Sequence, residues 1–222
     1  MFRMVFVLFA VLQSAPPISP GEIKDALSYA DALYYNAHFS ESLSVLTRID
    51  QALISETGRQ QEKIDTKLRL ALTYIGMNDT AKAKASFMDL YGVAPDYAID
   101  EHQYSPKVNS LATEARAEQT KVRCYEAQTE ARTYVDNGDT VKFISLLGSM
   151  GSKCTVLAAL APQAAETSVR RGIAQYKAAD FSNALSSFEE ALALAPEHDL
   201  AREYADLTRD RLKLLQTISP RP

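Results

Sequence analysis

The chain has 222 residues, 46% of them hydrophobic, and a formal charge of -4, which excludes a disordered polyelectrolyte and supplies apolar material for one or two cores. Eight Gly and nine Pro are too few for a turn-dense β protein, and the weight of Ala, Leu, Glu and Lys predicts an all-α class. The charge carries no long basic run, so it offers no footprint for nucleic acid or an anionic membrane surface.

Residues 1–15, MFRMVFVLFAVLQSA, place Arg3 before an apolar run from Met4 to Leu12 and small residues after it, the pattern of a signal peptide. The run is about half the ~20 residues that a membrane-crossing helix needs, although an uncleaved anchor or a buried helix stays open. Cleavage is expected after Ser14, because Pro16 would directly follow a cut at Ala15. Losing Arg3 takes the charge from -4 to -5. The mature chain is then expected to be exported, periplasmic or secreted, with no transmembrane segment left.

The first mature helix has an apolar stripe of Ile23, Ala26, Leu27, Ala30 and Leu33, and Asn36-Ala37-His38 makes a turn into a second helix carrying Ser42, Leu46 and Ile49. SETGRQQEK, residues 55–63, is a polar connection or an extended start to the next helix. There Leu68, Leu72 and Ile75 again show a period near 3.6, with a turn at Asn78-Asp79. The stretch 96–107, DYAIDEHQYSPK, reads as a linker, because Ser105-Pro106 is a strong helix start. The helix it opens has no stop until Asn137-Gly138, roughly thirty residues or ~46 Å, with a middle that is polar all round. From Cys124 to about Thr155 a degenerate hairpin can be drawn, with Ala131, Phe143 and Leu147 on its faces and Gly148 and Gly151 ending its second helix early.

Cys124 and Cys154 lie equally far from Asp139 in the turn of that hairpin, so antiparallel helices would set them side by side. In an oxidising compartment a disulfide between them would contribute ~3–4 kcal/mol in the chain-entropy model; two reduced, packed cysteines are the alternative. Near the C-terminus, Ala184, Leu185, Phe188 and Leu192 mark another helix after a turn at Ala179-Asp180. Residues 198–216, HDLAREYADLTRDRLKLLQ, read as a closing helix whose Leu200, Tyr204, Leu207, Leu212 and Leu215 would cover the preceding pair.

These hairpins repeat. Ala83, Phe87, Leu90 and Pro95 follow Ala71 at the same intervals at which Ala184, Phe188, Ala191 and Pro196 follow Gly172, and Ser42, Leu46 and Ile49 follow Ala30 at the first three of them. Such a self-match marks a repeat architecture. Together with Tyr74, these residues resemble the tetratricopeptide repeat family, and YSPKVNSLATEAR is similar to a stretch of its exported bacterial members. The resemblance implies a helix-hairpin solenoid with a capping helix, in one lobe or in two joined by the long helix. The expected organisation is a leader at 1–15, repeats over 22–97, a linker, long helix and degenerate hairpin over 98–157, and a last repeat with capping helix over 165–217. Two departures stand out: the large aromatic that usually opens the first helix is replaced by Lys67 and Ser168, and the chain has no Trp.

No C-x-x-C, G-x-S-x-G or phosphate-cradling loop is present, and His38, His102 and His198 sit far apart at turns, so neither catalysis, nor a cofactor, nor a metal site is expected. The resemblance instead implies a protein or peptide partner bound in a groove lined by the first helices of the pairs. Groove candidates are Lys24, Asp31, Tyr34 and Tyr35 in the first pair, Asp65 and Arg69 in the second, and Arg170, Tyr176 and Lys177 in the last. Tyr34 and Tyr176 project near apolar stripes and equally suit a core role, whereas Tyr35 points away. The Lys and Asn set that certain family members use to clamp a C-terminal carboxylate is not reproduced. A structural subunit of an envelope complex, or a homo-oligomer with no transient ligand, is the alternative reading.

Overall fold

The computed structural model describes residues 18–218, and the expected leader at 1–15 lies outside them. Among the described residues the architecture is all-α, without strands. In chain order the helices are α1 (Ile23–Tyr35), α2 (Phe39–Leu53), α3 (Gln60–Gly76), α4 (Thr80–Val93), α5 (Pro106–Asn137), α6 (Thr140–Met150), α7 (Ala161–Lys177), α8 (Phe181–Leu194) and α9 (Asp199–Ile218). Short 3-10 turns stand at Pro20–Glu22 and Thr155–Leu160. The chain divides into two compact units between Gln119 and Thr120, a boundary inside α5. No helix among the described residues is long and apolar enough to cross a membrane.

The same turn closes four helix pairs. Ala37, Asn78 and Ala179 adopt φ of 60, 59 and 59°, and Gly138 adopts 74°. In each case the next residue's N–H bonds back over one helical turn: His38 to Leu33, Asp79 to Tyr74, Asp139 to Tyr134 and Asp180 to Gln175, at 2.8–2.9 Å. This is a Schellman closure, in which a left-handed residue satisfies the last carbonyls of the first helix. The residue after it then starts the second helix, and the Asp79 and Asp180 carboxylates accept from Lys82 N–H (3.1 Å) and Asn183 N–H (3.4 Å), as N-caps should. Ser105 performs the same service for α5, accepting from Val108 N–H at 3.4 Å.

In the first unit, α3 packs on both α1 and α2 and pairs with α4, so one hairpin stacks on the next. Ile64, Leu68, Ala71, Phe87 and Leu90 form one core with Val108, Ala112 and Ala115 of α5, while Ile23, Leu27, Leu46, Ile49 and Leu53 form a second that Leu70 closes. Ser42, where the other copies carry Ala, is fully buried and donates its hydroxyl to the Ala30 carbonyl at 2.9 Å. That bond removes the penalty of an unpaired buried hydroxyl.

In the second unit, α7 and α8 pair tightly around Phe188, which is buried against Ala184, Ala205 and Tyr204. Phe143, Leu157 and Cys154 fill the core of the preceding hairpin with Ala127 and Ala131. Cys124 and Cys154 are brought to disulfide distance, with Cα atoms 5.4 Å apart, inside the range a bridge requires. The α9 helix differs from expectation: Ala201, Ala205 and Thr208 are its buried residues, while Leu200, Leu207 and Leu215 are roughly half exposed. Small side chains let α9 approach closely, and that approach turns the leucines to its flank.

The missing aromatics are replaced by charge and hydrogen bonding. Lys67 Nζ bridges Asp50 of α2 (3.0 Å) and Asp89 of α4 (3.2 Å). Ser168 Oγ lies within hydrogen-bond reach of both Thr140 Oγ1, at 2.9 Å, and Glu190, at 3.3 Å, and Glu190 also pairs with Arg171. Arg171 reaches on to Ser187 and the Gly138 carbonyl, both at 3.0 Å. Asp89 and Glu190 stand at the same interval after Ala71 and Gly172. One acidic position on each second helix thus anchors a polar link where an aromatic ring would otherwise stack.

Candidate functional site

Helical periodicity sets which side chains can meet. On α1 the buried residues Ile23, Leu27 and Ala30 leave Asp31 and Tyr35, four residues apart, on an adjoining face; on α3 the buried Ile64, Leu68 and Ala71 leave Asp65 and Arg69 in the same relation. Because α3 stacks on α1, the two faces converge. Arg69 grips Asp31 with two bonds, Nε to Oδ1 at 2.7 Å and Nη2 to Oδ2 at 2.8 Å, the bidentate geometry that guanidinium favours. Its Nη1 donates to the Asp65 carbonyl at 3.3 Å and lies 3.9 Å from the Asp65 carboxylate. Asp65 Oδ1 also accepts from Gln61 at 2.9 Å. The hydrogen bond to Asp31 outweighs partial burial and holds the Arg69 guanidinium more firmly protonated than usual.

Tyr34 packs edge-on against Phe39 and Tyr35, with ring centroids 5.5 and 5.6 Å apart, and burial pushes its phenol pKa up. It serves as a wall, joining Ser42, Leu72 and Thr73 around a cavity of about 40 Å³ whose polar side is Asp31 and Arg69. Tyr35 lines the same cavity at its edge and stays 83% exposed. Lys24 is exposed one helix length earlier, at the start of α1.

Two further tyrosines pack against the core that α3, α4 and α5 share. Tyr97 and Tyr104 belong to the connection between α4 and α5, and both are partly buried. Side chains of α5 hold that connection in place: Arg116 donates to the carbonyls of Pro95 (3.3 Å) and Tyr97 (3.0 Å), and Asn109 to those of Glu101 (3.1 Å) and Tyr104 (3.2 Å). Burial raises both phenol pKa values, with Asp65 and Arg69 acting on Tyr97, and Tyr97, Arg69, Tyr35 and Asp100 on Tyr104. These tyrosines sit in a stretch that the sequence marks only as a linker. Two phenols flanking acidic residues just after a closing proline were the available signal.

The second-unit candidates do not form a matching cluster. Tyr176 is spent between helices, 5.2 Å from the Phe181 ring and 5.6 Å from that of Tyr204. Arg170 is exposed and contacts Thr167 at 3.4 Å, and Lys177 is exposed at the end of α7. Among the described residues no group of three His, Cys, Asp or Glu side chains could hold a metal ion. His38 pairs locally with Glu41 at 2.8 Å and His198 with Glu166 at 3.2 Å.

Residues 64–97, spanning α3, α4 and the first residues of the connection, match the family model described as tetratricopeptide repeat. No curated protein matches the chain.

Proposed function

We propose, taking as premise that residues 64–97 form a tetratricopeptide repeat, in general a protein-interaction scaffold, that this chain is an exported adaptor binding a protein or peptide on the α1–α3 face of its first unit. The observation that carries the reading is Tyr35, a large aromatic left 83% exposed beside a charged clamp that is already internally satisfied. Aromatic anchors of this kind dominate binding surfaces because they bury much area at low entropic cost. Export rests on residues 1–15 and agrees with a cysteine pair at bonding distance, since such bridges persist in oxidising compartments.

The test is photocrosslinking in the native cell from a benzophenone amino acid at position 35, with position 29 as control. Tyr29 is also exposed, but helical geometry turns it to another face of α1. A discrete adduct from position 35 and none from position 29 supports the reading; equal labelling from both, or none, counts against it. Intact mass of the mature chain decides export, which predicts a new N-terminus at Ala15.

The structural-subunit alternative is favoured by α9, where Leu200, Leu207 and Leu214 lie about half exposed at seven-residue spacing. Light scattering of the mature chain tests it: a monomer at micromolar concentration removes self-association.

A further inference from the structure

The α9 helix buries one face and leaves the flank beside it uncovered. Ala201, Ala205 and Thr208 are buried, while Leu200, Leu207 and Leu214 recur every seven residues along the exposed flank. A residue three places after a stripe leucine stands on one side of the stripe, and a residue four places after it stands on the other. Glu203 and Asp210 therefore form one edge, and Tyr204 and Arg211 the opposite edge.

Most charges of α9 are consumed within the second unit. Arg202 pairs with Glu197 and Asp199 at 3.5 and 3.3 Å, Arg209 with Glu189 and Asp206 at 3.0 and 2.9 Å, and Lys213 with Asp210 at 3.3 Å. Glu203 and Arg211, both exposed, enter no hydrogen bond or ion pair with any described residue. The Asp210 carboxylate, bonded to Lys213 through Oδ1, has capacity for a second cation. The unspent charge thus lies along the leucine stripe, acidic on one edge and basic on the other.

We infer that α9 pairs with α9 of a second copy of this chain, parallel and in register, with Leu200, Leu207 and Leu214 each meeting its own counterpart. A two-fold axis along the seam sets unlike edges against each other. Arg211 of each copy then faces Asp210 of the other, so the ion pair forms twice. An antiparallel pair centred on Leu207 brings like edges together, with Glu203 of one copy level with Asp210 of the other, and these repel. The helix is complementary to itself in one orientation, which selects a second copy over an unrelated partner. From Leu200 to Leu214 the seam runs ~21 Å, short beside a standard interface, so the dimer is reversible. The inference rests on the homo-oligomer reading, gives that self-association its seam, and uses residues of the second unit alone.

The experiment is analytical ultracentrifugation of the mature chain over a concentration series reaching tens of micromolar. The parent is expected to form a dimer and no larger species. Leu207→Asp is expected to weaken it at least about tenfold. Arg211→Asp, which sets two acids opposite each other, is expected to weaken it about three- to fivefold at low salt, a margin lost as salt rises. Exchanging the charges, Asp210→Arg with Arg211→Asp, restores the parent affinity. These positions are exposed, so the variants should fold, and Arg211→Asp decides alone if Leu207→Asp lowers the helix signal. Orientation is read by oxidative trapping of Leu200→Cys and Leu214→Cys: a parallel seam links each variant to itself, an antiparallel one links the two only when mixed. A dimer indifferent to Leu207→Asp or to Arg211→Asp, or trapped only in the mixture, overturns the inference and keeps self-association in another arrangement. A monomer throughout overturns the inference and the homo-oligomer reading together. The adaptor reading is decided separately, by the adduct from position 35.

Discussion

Gly172 is where the α7–α8 packing is most exposed to a single added carbon. A Cβ there would lie 2.7 Å from Cε1 of Phe188 and 2.9 Å from two more ring atoms, closer than carbons tolerate. The ring has nowhere to go, being fully buried against Ala184, Ala205 and Tyr204. Overpacking of this kind costs about 1–3 kcal/mol, while Ala gains about 1 kcal/mol over Gly in a helix interior. The first unit builds the same pair around Ala71 and Phe87, so a hairpin can be spaced for the methyl; α7–α8 would have to shift against α9 to do so. Gly172→Ala should therefore lose about 1 kcal/mol. The diagnostic is the double variant: with Phe188→Leu the clash is relieved, and Gly172→Ala should turn neutral or stabilising, a coupling of about 1–2 kcal/mol. Urea unfolding by circular dichroism, with amide exchange of α7 and α8 peptides to localise the loss, measures it. Gly148→Ala, whose Cβ would meet nothing within 4 Å, is the control and should gain up to about 1 kcal/mol. Additive effects of the two substitutions, or a Gly172→Ala chain as stable as the Gly148→Ala one, would refute the reasoning.

Ala37→Gly and Ala179→Gly should each stabilise by about 0.5–1 kcal/mol, because both alanines hold φ near +60°, where L side chains are strained and glycine is not; thermal melts check this, and a loss of stability would contradict the turn geometry. Cys124→Ser, or reduction of the parent, should cost the second unit ~3–4 kcal/mol, read as faster exchange in α6 and the segment 151–160 with α1–α4 unchanged. Lys67 supplies a pH signature. Burial pulls its pKa down, but the hydrogen bond to Asp50 and the charges of Asp50 and Asp89 outweigh that and leave it raised. Its contribution to stability is thus intact at neutral pH and is lost as pH rises from about 10.4, the ordinary lysine value, through the folded value above it. Lys67→Met should flatten the stability profile in that alkaline window, and an unchanged slope there would remove the bridge from the account.

Local features of the sequence determined the helices, because each rests on contacts within a turn or two: the 3.6-residue stripes, Ser105-Pro106 as a start, and the turns at Asn78-Asp79 and Ala179-Asp180. The repeat interval carried one step further. An aromatic, two small residues and a proline at constant intervals require a hairpin to pack in one way, so Phe87 and Phe188 could be placed in cores; equal distance from the turn at Asp139 set the two cysteines opposite each other. Tertiary structure decided what depends on pairs distant along the chain. Lys67 reads as a missing aromatic until Asp50 and Asp89 are seen to hold it, and Ser168 until Thr140 and Glu190 do. Tyr176 faces Tyr204 only because α9 packs where it does, and α9's leucines stay outward because its alanines approach α8 more closely. The proposed binding face belongs to this second kind. Asp31 and Arg69 were each recognisable as groove candidates, but no periodicity says that they consume one another or that Tyr97 and Tyr104 arrive at the core that α3, α4 and α5 share. Both facts follow from α3 stacking on α1 and from α5 side chains fixing a connection that has no regular structure of its own.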